Sequence, residues 1–462
     1  MGAGEPSALG VKGANTEQVS AVQSRALGSA FWGLWMATGI SSVGDGLVAV
    51  ALPLLATRLT HSALLIAGVA AANRAASALG ALPAGLLADR FDRWKAMVAS
   101  DIVSGSTVAL LVLTMAFGSP GIAGLYLASA VLGLCEMVYR LSMQGAFPDV
   151  VRDSSALGTA NGRLIAVEGA GEQFVGPGIG GVLFGVVRSL PFGADAVSFF
   201  ASAALVGASR PRPPAGAALD GARNGGPAGG VEGTGAGAGG PSAPPAPGAG
   251  ASPAYRAWRA DMAEGVRAFR ALPGVSALTL ATSSQALCNW MVLGVLVVFA
   301  ERSLHLGTSG YGLFYAFSAL AGVVGSFFGG WFQKRLGTRR IMVAAGLACA
   351  VSYAGLSVVA GAVAAVFVYG LGELGVAVYN VGSVTARQRL VPRAMFGRVG
   401  GIYRLSVLAV SPLGALVGGA VASAAGPRVT MVVASATVLA LLAVWGPKCW
   451  RQLDGVDDRP IT

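Results

Sequence analysis

The sequence predicts an all-α polytopic membrane protein, with twelve transmembrane helices in two six-helix halves. Three observations carry this prediction. Only 11% of the 462 residues are charged and 54% are hydrophobic, with a mean hydropathy of +0.66, whereas a soluble domain carries about 25% charged residues. Apolar runs near the roughly 20 residues needed to cross a bilayer recur along the whole chain. Two short polar motifs repeat at nearly one offset, about half the chain apart.

Apolar runs bounded by polar residues place the first six helices over 29–55, 62–87, 96–117, 121–143, 157–186 and 191–209. The second six fall over 275–300, 308–333, 341–360, 363–386, 397–423 and 428–446. The halves are therefore 29–209 and 273–446, with tails over 1–28 and 447–462. Between them, residues 211–254 contain 13 Gly, 12 Ala and 9 Pro. Such a chain has almost nothing to bury, so 210–254 is expected to be a disordered linker. Over 255–272, Trp258, Met262, Val266 and Phe269 recur at helical spacing against Arg256, Arg259, Asp261, Arg267 and Arg270, which predicts an amphipathic helix on the membrane surface.

Cytoplasmic loops of membrane proteins accumulate Lys and Arg. With the N-terminus inside, 25 basic residues fall on the cytoplasmic side and only Arg58, Arg188, Arg302 and Arg428 fall outside. Both termini and the linker are expected in the cytoplasm, and the net charge of +11 is expected to reflect topology and anionic lipid, not nucleic acid. Only four of the basic residues are Lys; that bias toward Arg, with abundant Ala and Gly, suggests a GC-rich genome and so the cytoplasmic membrane of a bacterium. The first 26 residues lack the charged-then-apolar pattern of a cleaved signal.

Several function classes are disfavoured. Cys135, Cys288, Cys349 and Cys449 lie far apart, with only His61 and His305 beside them, so no disulfide framework or metal site is expected. No G-x-x-x-x-G-K-[ST] motif points to ATP. With no Ser/His/Asp constellation either, the chain is expected to be no enzyme and to need no cofactor.

The halves repeat internally. Gly85-Leu-Leu-Ala-Asp-Arg-Phe-Asp-Arg-Trp-Lys95 follows the second span, and Gly330-Trp-Phe-Gln-Lys-Arg-Leu-Gly-Thr-Arg-Arg340 follows the eighth, 245 residues later. Gln144-x-x-x-Pro148 recurs as Gln388-x-x-x-Pro392, 244 residues later. Duplicated six-helix halves enclose a substrate site near the membrane midplane and work by rocking.

At these residues the sequence resembles the major facilitator superfamily. Residues 85–95 match its loop signature G-x-L-a-D-R-x-G-R-R, with Asp92 in place of the second glycine. Gly176-Pro177-Gly178-Ile179-Gly180-Gly181 matches the antiporter signature G-P-x-x-G-G. Asp92, the run Ala-Asp-Ala-Val-Ser-Phe at 194–199, and Val391-Pro392 followed by Gly397-Arg398-Val399 are most similar to the subgroup of enterobactin-type siderophore and macrolide exporters. The resemblance implies the major facilitator fold and export of a small organic compound, such as a drug, siderophore or other secondary metabolite, in exchange for protons. It also implies a conformational latch at Gly85, Asp89, Arg90 and Arg93, and an antiporter motif at Gly176, Pro177, Gly180 and Gly181. The chain is expected to act as a monomer. An importer by symport and a transport-inactive receptor or scaffold are the alternatives.

Charges inside spans are the sharpest local signals, because burying one costs several kcal/mol. Asp45 lies between Gly44 and Gly46, about two-thirds across the first span. Glu168 and Glu172 are i,i+4 in the fifth span, so a proton on either relieves their repulsion. Glu136 and Arg140 are i,i+4 in the fourth, where they can neutralise each other. Arg74, Glu373 and Arg404 fall in the second, tenth and eleventh. Asp45, Glu168, Glu172, Glu136 and Glu373 are therefore candidates for proton coupling, and Arg140 and Arg74 for substrate binding or charge pairing. In the loop, Asp89 and Arg93 can pair at i,i+4 if the segment is helical. Trp32, Trp35, Trp290, Tyr311, Tyr315, Tyr379 and Tyr403 can line a cavity or face lipid, and none is assigned.

Overall fold

In the computed structural model residues 27–90, 92–151, 156–210, 267, 269, 271–392 and 395–453 are described, with backbone alone for 82–90, 273, 396–398 and 445–453. The expected tails, the 211–254 linker and nearly all of the 255–272 helix lie outside the described residues.

The first four spans are Gly28–Leu59, Ala63–Arg90, Arg93–Phe117 and Gly121–Val150. The fifth runs Leu157–Gly169, Ala170–Val175 and Gly176–Val186 in succession, and the sixth is Leu190–Ser209. In the second half, Pro273–Leu293 and Leu296–Ser303 make a broken seventh span. Thr308–Val358, 51 residues, is two helices joined at the non-helical Gly337. At about 1.5 Å per residue it is long enough to cross a bilayer twice, and the bend at Gly337 turns it back as the eighth and ninth spans. Ala362–Leu390, Phe396–Ala425 and Pro427–Leu453 complete the set. Ten of the described helices are long and apolar enough to cross a membrane.

The two copies of the repeated motif turn the chain by different means. Gly337 takes a positive φ of 79°, a conformation that costs glycine little. The first copy carries Asp92 at the equivalent position, which caps the third span instead. Its carboxylate accepts from Trp94 N at 3.0 Å and Lys95 N at 3.2 Å and pairs with Arg210 at the end of the sixth span. A polar N-cap of this kind replaces a missing intrahelical partner.

Within the first half, the second span packs on the fourth, the first on the sixth, and the third on the fourth and sixth. Within the second, the Thr308–Val358 pair packs on the tenth and twelfth spans and the seventh on the eleventh. Two seams join the halves, second span to eleventh and fifth to eighth. Along both, close contacts gather on the side away from the chain ends, called distal below. Leu64 N donates to Ser423 Oγ at 2.9 Å, Arg302 to the His61 carbonyl at 2.6 Å, and Thr57 to Glu301 at 3.3 Å. All three bonds tie one half to the other on this side.

Candidate functional site

A cavity of about 640 Å³ lies between the halves, within the ~300–1,000 Å³ of typical small-molecule sites. Tyr311, Leu52 and Pro53 line it near the distal seam, and Gln144, Phe147 and Asn161 line it toward the terminal side.

The fourth span places Arg140 at the centre of its charged wall. Helical spacing puts Glu136 one turn before Arg140, a favourable order for an i,i+4 pair, and Arg140 Nε reaches Glu136 Oε1 at 3.0 Å. The two remaining arms of the guanidinium cross to the fifth span. Nη1 meets Glu168 Oε1 at 2.6 Å and Nη2 meets Glu172 Oε2 at 3.2 Å. A guanidinium has five N–H donors in a fixed fork, so one arginine holds three carboxylates. Arg74, from the second span, lies 3.5 Å from the other oxygen of Glu136, and its guanidinium sits 5.0 Å from the centroid of the Trp290 ring. The expected repulsion between Glu168 and Glu172 is thus bridged by Arg140, and Glu136 is shared between two arginines. With all five groups ionised the network carries one net negative charge.

Glu172 lies in the π-helical turn Ala170–Val175. This segment is closed by Gly176 N donating to the Gly171 carbonyl, five residues back, just before Pro177, which has no N–H to donate. Irregular turns of this kind frequently mark functional positions. The sequence shows a bendable glycine–proline stretch there, and the structure locates the irregularity at the carboxylate.

A second acidic group lies beside the first. Asp45 is exposed into the cavity from the first span, with no ion pair among the described residues. Asp101 of the third span and Asp195 of the sixth also line the cavity, 3% and 1% exposed, each with an Oδ2 that has no hydrogen-bond partner. The other oxygen of Asp195 accepts from Ser198 Oγ at 3.2 Å. Gly44 permits this packing, because a Cβ there would collide with Asp195 Oδ1 and Ser198 Oγ. Sequence reasoning misses Asp101 and Asp195 as buried charges, since each lies within nine residues of the start of its span, where a headgroup position is equally reasonable. Their signal is periodicity. Asp195, Ser198 and Ser202 form a polar stripe at i, i+3, i+7 in an apolar helix, as do Asp101 and Ser104 at i, i+3.

The remaining candidates separate. Glu373 is not on the cavity wall; it packs beside Gly322 of the eighth span, because the face of the tenth span that carries it turns toward that neighbour. Arg404 lines the cavity, as do Trp290, Tyr311 and Tyr315. Trp32 and Trp35 instead pack on each other at 5.6 Å, and Tyr403 hydrogen-bonds Ser383 at 2.6 Å.

The glycine motif divides between two neighbours. Methyl groups on Gly176 and Gly180 would press on Gly46 and Leu47 of the first span, within the same half. On Gly181, a methyl would lie 2.7 Å from both Gly312 Cα and the Thr308 carbonyl of the eighth span, while Gly312 in turn faces the Pro177 carbonyl. Gly181 and Pro177 thus belong to the distal seam. The condition for an i,i+4 relation between Asp89 and Arg93, one continuous helix, is not met, since one helix ends at Arg90 and the next begins at Arg93 under the Asp92 cap. Arg93 donates to the Gly145 carbonyl at 2.6 Å. The side-chain surroundings of Gly85, Asp89 and Arg90 lie outside the described residues.

The family model described as Major Facilitator Superfamily matches residues 34–373 and 278–451. No curated protein matches by sequence. Among solved structures, a bacterial homologue of the human lysosomal transporter Spinster, inward-facing and occupied, superposes with a TM-score of 0.69 at 14% identity, covering 93% of this chain and 97% of that one. The nucleoside transporter NupG gives 0.65 at 10%, covering 92% and 99%. A bacterial homologue of the iron transporter ferroportin, inward-facing, gives 0.62 at 16%, covering 91% and 98%. At these identities the likeness is one of fold.

Proposed function

The chain belongs to the major facilitator superfamily, a family of multi-pass membrane transporters, and from this we propose that it exports a small organic compound by proton antiport with alternating access. The observation that carries the proposal is the cavity wall, where three glutamates share one arginine beside an unpaired aspartate, next to a seam built of the glycine motif. The excess of basic residues at the loop ends supports a cytoplasmic location for both termini in a bacterial inner membrane. The distal side then faces outward, and the cavity opens toward the cytoplasm. The chain works as a monomer in this reading, with substrate, protons and lipid as its partners.

A proton arriving at Glu168 or Glu172 cancels one of the charges that Arg140 holds, loosening the link between fourth and fifth spans. Asp45, facing the cavity without a partner, takes either a proton or a substrate group but not both. That exclusivity couples the two fluxes, since a ligand shifts an equilibrium only by its differential affinity for the two states. Each proton entering down the potential supplies about 2.3 kcal/mol per 100 mV, enough for uphill export without nucleotide.

The experiment is efflux from proteoliposomes under an imposed pH gradient, read for a panel of organic dyes and antibiotics. Glu172→Gln is expected to abolish proton-driven efflux while downhill exchange of the same compound stays measurable, and Asp45→Asn to abolish it with exchange measurable only at raised substrate concentration. Full proton-driven efflux in both variants and in Glu168→Gln would move the coupling site elsewhere, to Glu136 or Glu373. A gradient that drives uptake would establish the symport alternative.

A further inference from the structure

We propose that the substrate is an organic cation with an apolar body, its charge held at Asp45 and its body against Trp290, Tyr311 and Tyr315. The inference rests on the transport reading only in taking the cavity as the place where substrate binds.

The first argument is charge. Among the lining residues are six carboxylates and three guanidiniums, with no lysine or histidine. Arg74 and Arg140 are already engaged by three glutamates, which leaves one negative charge over in the network. Arg404 offsets one further charge. With Asp45 and the three glutamates ionised, the wall carries one net negative charge even where Asp101 and Asp195 are both protonated. A cleft with low-dielectric walls focuses such an excess and concentrates cations. An anionic substrate would have to displace a glutamate from Arg140 or bind at Arg404 alone.

The second argument is what the wall leaves unsatisfied. Asp101 Oδ2 and Asp195 Oδ2 are buried acceptors without a donor, and Asp45 has no counter-ion among the described residues. The hydroxyls of Ser129 and Tyr139 in the same lining also lack a partner, so the one-sided demand is for positive charge at Asp45. A resident metal ion does not answer it, because no group of three or more His, Cys, Asp or Glu among the described residues is arranged to hold one.

The third argument is the aromatic side. The protein's own Arg74 guanidinium lies 5.0 Å from the Trp290 centroid, within the ~6 Å of a cation–π contact. One face of the cavity thus already takes a delocalised organic cation, and Tyr311 and Tyr315 extend that wall. The carboxylates fix the sign of the ligand's charge, and the aromatic rings select a flat or bulky apolar body over a small hydrated ion.

The test uses two probes of nearly equal size and opposite sign, the tetraphenylphosphonium cation and the tetraphenylborate anion. Each is titrated calorimetrically into the purified full-length protein in detergent, against an empty-micelle blank. The phosphonium is expected to bind saturably and the borate not above blank. Asp45→Asn is expected to weaken phosphonium binding at least tenfold, with Asp45→Glu restoring it. Trp290→Leu is expected to weaken it about fivefold through loss of the aromatic surface against which the apolar body packs. Equal affinity for the two probes overturns the proposal, as does wild-type affinity in Asp45→Asn that elutes as folded protein. If Asp45→Asn fails to fold, the probe pair and Trp290→Leu still decide. Phosphonium binding without proton release keeps the cation proposal and sinks antiport, whereas proton-driven efflux of a neutral compound without phosphonium binding does the reverse.

Discussion

Adding one methyl group at Gly181 separates seam from scaffold within a single motif. In Gly181→Ala the new Cβ meets Gly312 Cα and the Thr308 carbonyl at 2.7 Å and Gly312 N at 2.9 Å. All three are backbone atoms, so no flexible side chain can swing aside. Overpacking of this kind costs about 1–3 kcal/mol. The clash exists only where the fifth and eighth spans touch, so it is relieved whenever the distal seam opens. The equilibrium should therefore move about 5- to 150-fold toward the distal-open state. Gly180→Ala is the control. Its methyl meets the Leu47 carbonyl at 2.8 Å and Leu47 Cα at 2.9 Å, an equally tight contact, but inside one half, where rocking brings no relief. Spin labels at Arg188→Cys and Gly307→Cys, on the distal turns of opposite halves and in a background without native cysteines, report the opening by pulsed electron resonance. Gly181→Ala should populate a longer distance with little loss of Tm. Gly180→Ala should lower Tm and leave the distances unchanged. Identical effects of the two variants would refute the assignment of Gly181 to the moving seam.

Arg140→Lys keeps the charge but loses the fork that reaches three carboxylates; efflux should fall at least tenfold in vesicle assays with membrane abundance preserved, and wild-type rates would show that charge alone suffices. Asp92→Ala removes the cap on the third span and the Arg210 pair, and should lower stability by about 1 kcal/mol, while Asp92→Asn, which keeps an acceptor for the cap, should cost less; thermal unfolding in detergent separates them. Asp89→Asn should reduce efflux far more than expression, and Lys334→Gln in the second copy should be mild, with equal defects showing that the loop acts only through topology. Shortening residues 211–254 to about 15 residues should preserve efflux, since a Gly/Ala/Pro chain has little to bury, and its loss at normal abundance would give the segment a role beyond tethering.

The helices were legible because a span must be apolar along its whole length, and most described boundaries fall within a few residues of the polar breaks that mark them. The Glu136–Arg140 pair was legible for a related reason: two opposite charges at i,i+4 in an apolar run have few partners other than each other. Arg140 bridging to Glu168 and Glu172 was not, because it depends on which faces of the fourth and fifth spans meet. The place of Glu373 beside Gly322, away from the cavity wall, was unreadable on the same account. Asp101 and Asp195 escaped because apolar runs give depth only to within several residues. The break around Asp92 was legible as the polar loop between the second and third spans; its role as a cap was readable in principle too, an aspartate before a helix start being an ordinary capping signal.

The fifth span gathers both halves of the problem onto one element. Its terminal-side half carries Glu168 and, in the π turn, Glu172, both held by Arg140. Its distal half lays Gly176 and Gly180 on the first span and Gly181 on the eighth. Gly46 on the first span approaches the carbonyls of Gly171 and Glu172 to within a methyl's width, and Asp45 is its chain neighbour. In the proposed antiport, a proton or a cation that alters the charge around Arg140 would act on the helix that closes the distal seam, and opening that seam would act back on the glutamates. The π turn lies between these two regions, five residues from Gly176 to the Gly171 carbonyl, where an irregular hydrogen-bond ladder bends more easily than a regular one. Coupling in this arrangement needs no long pathway, because the charged groups and the seam share one helix about 30 residues long, with the hinge inside it.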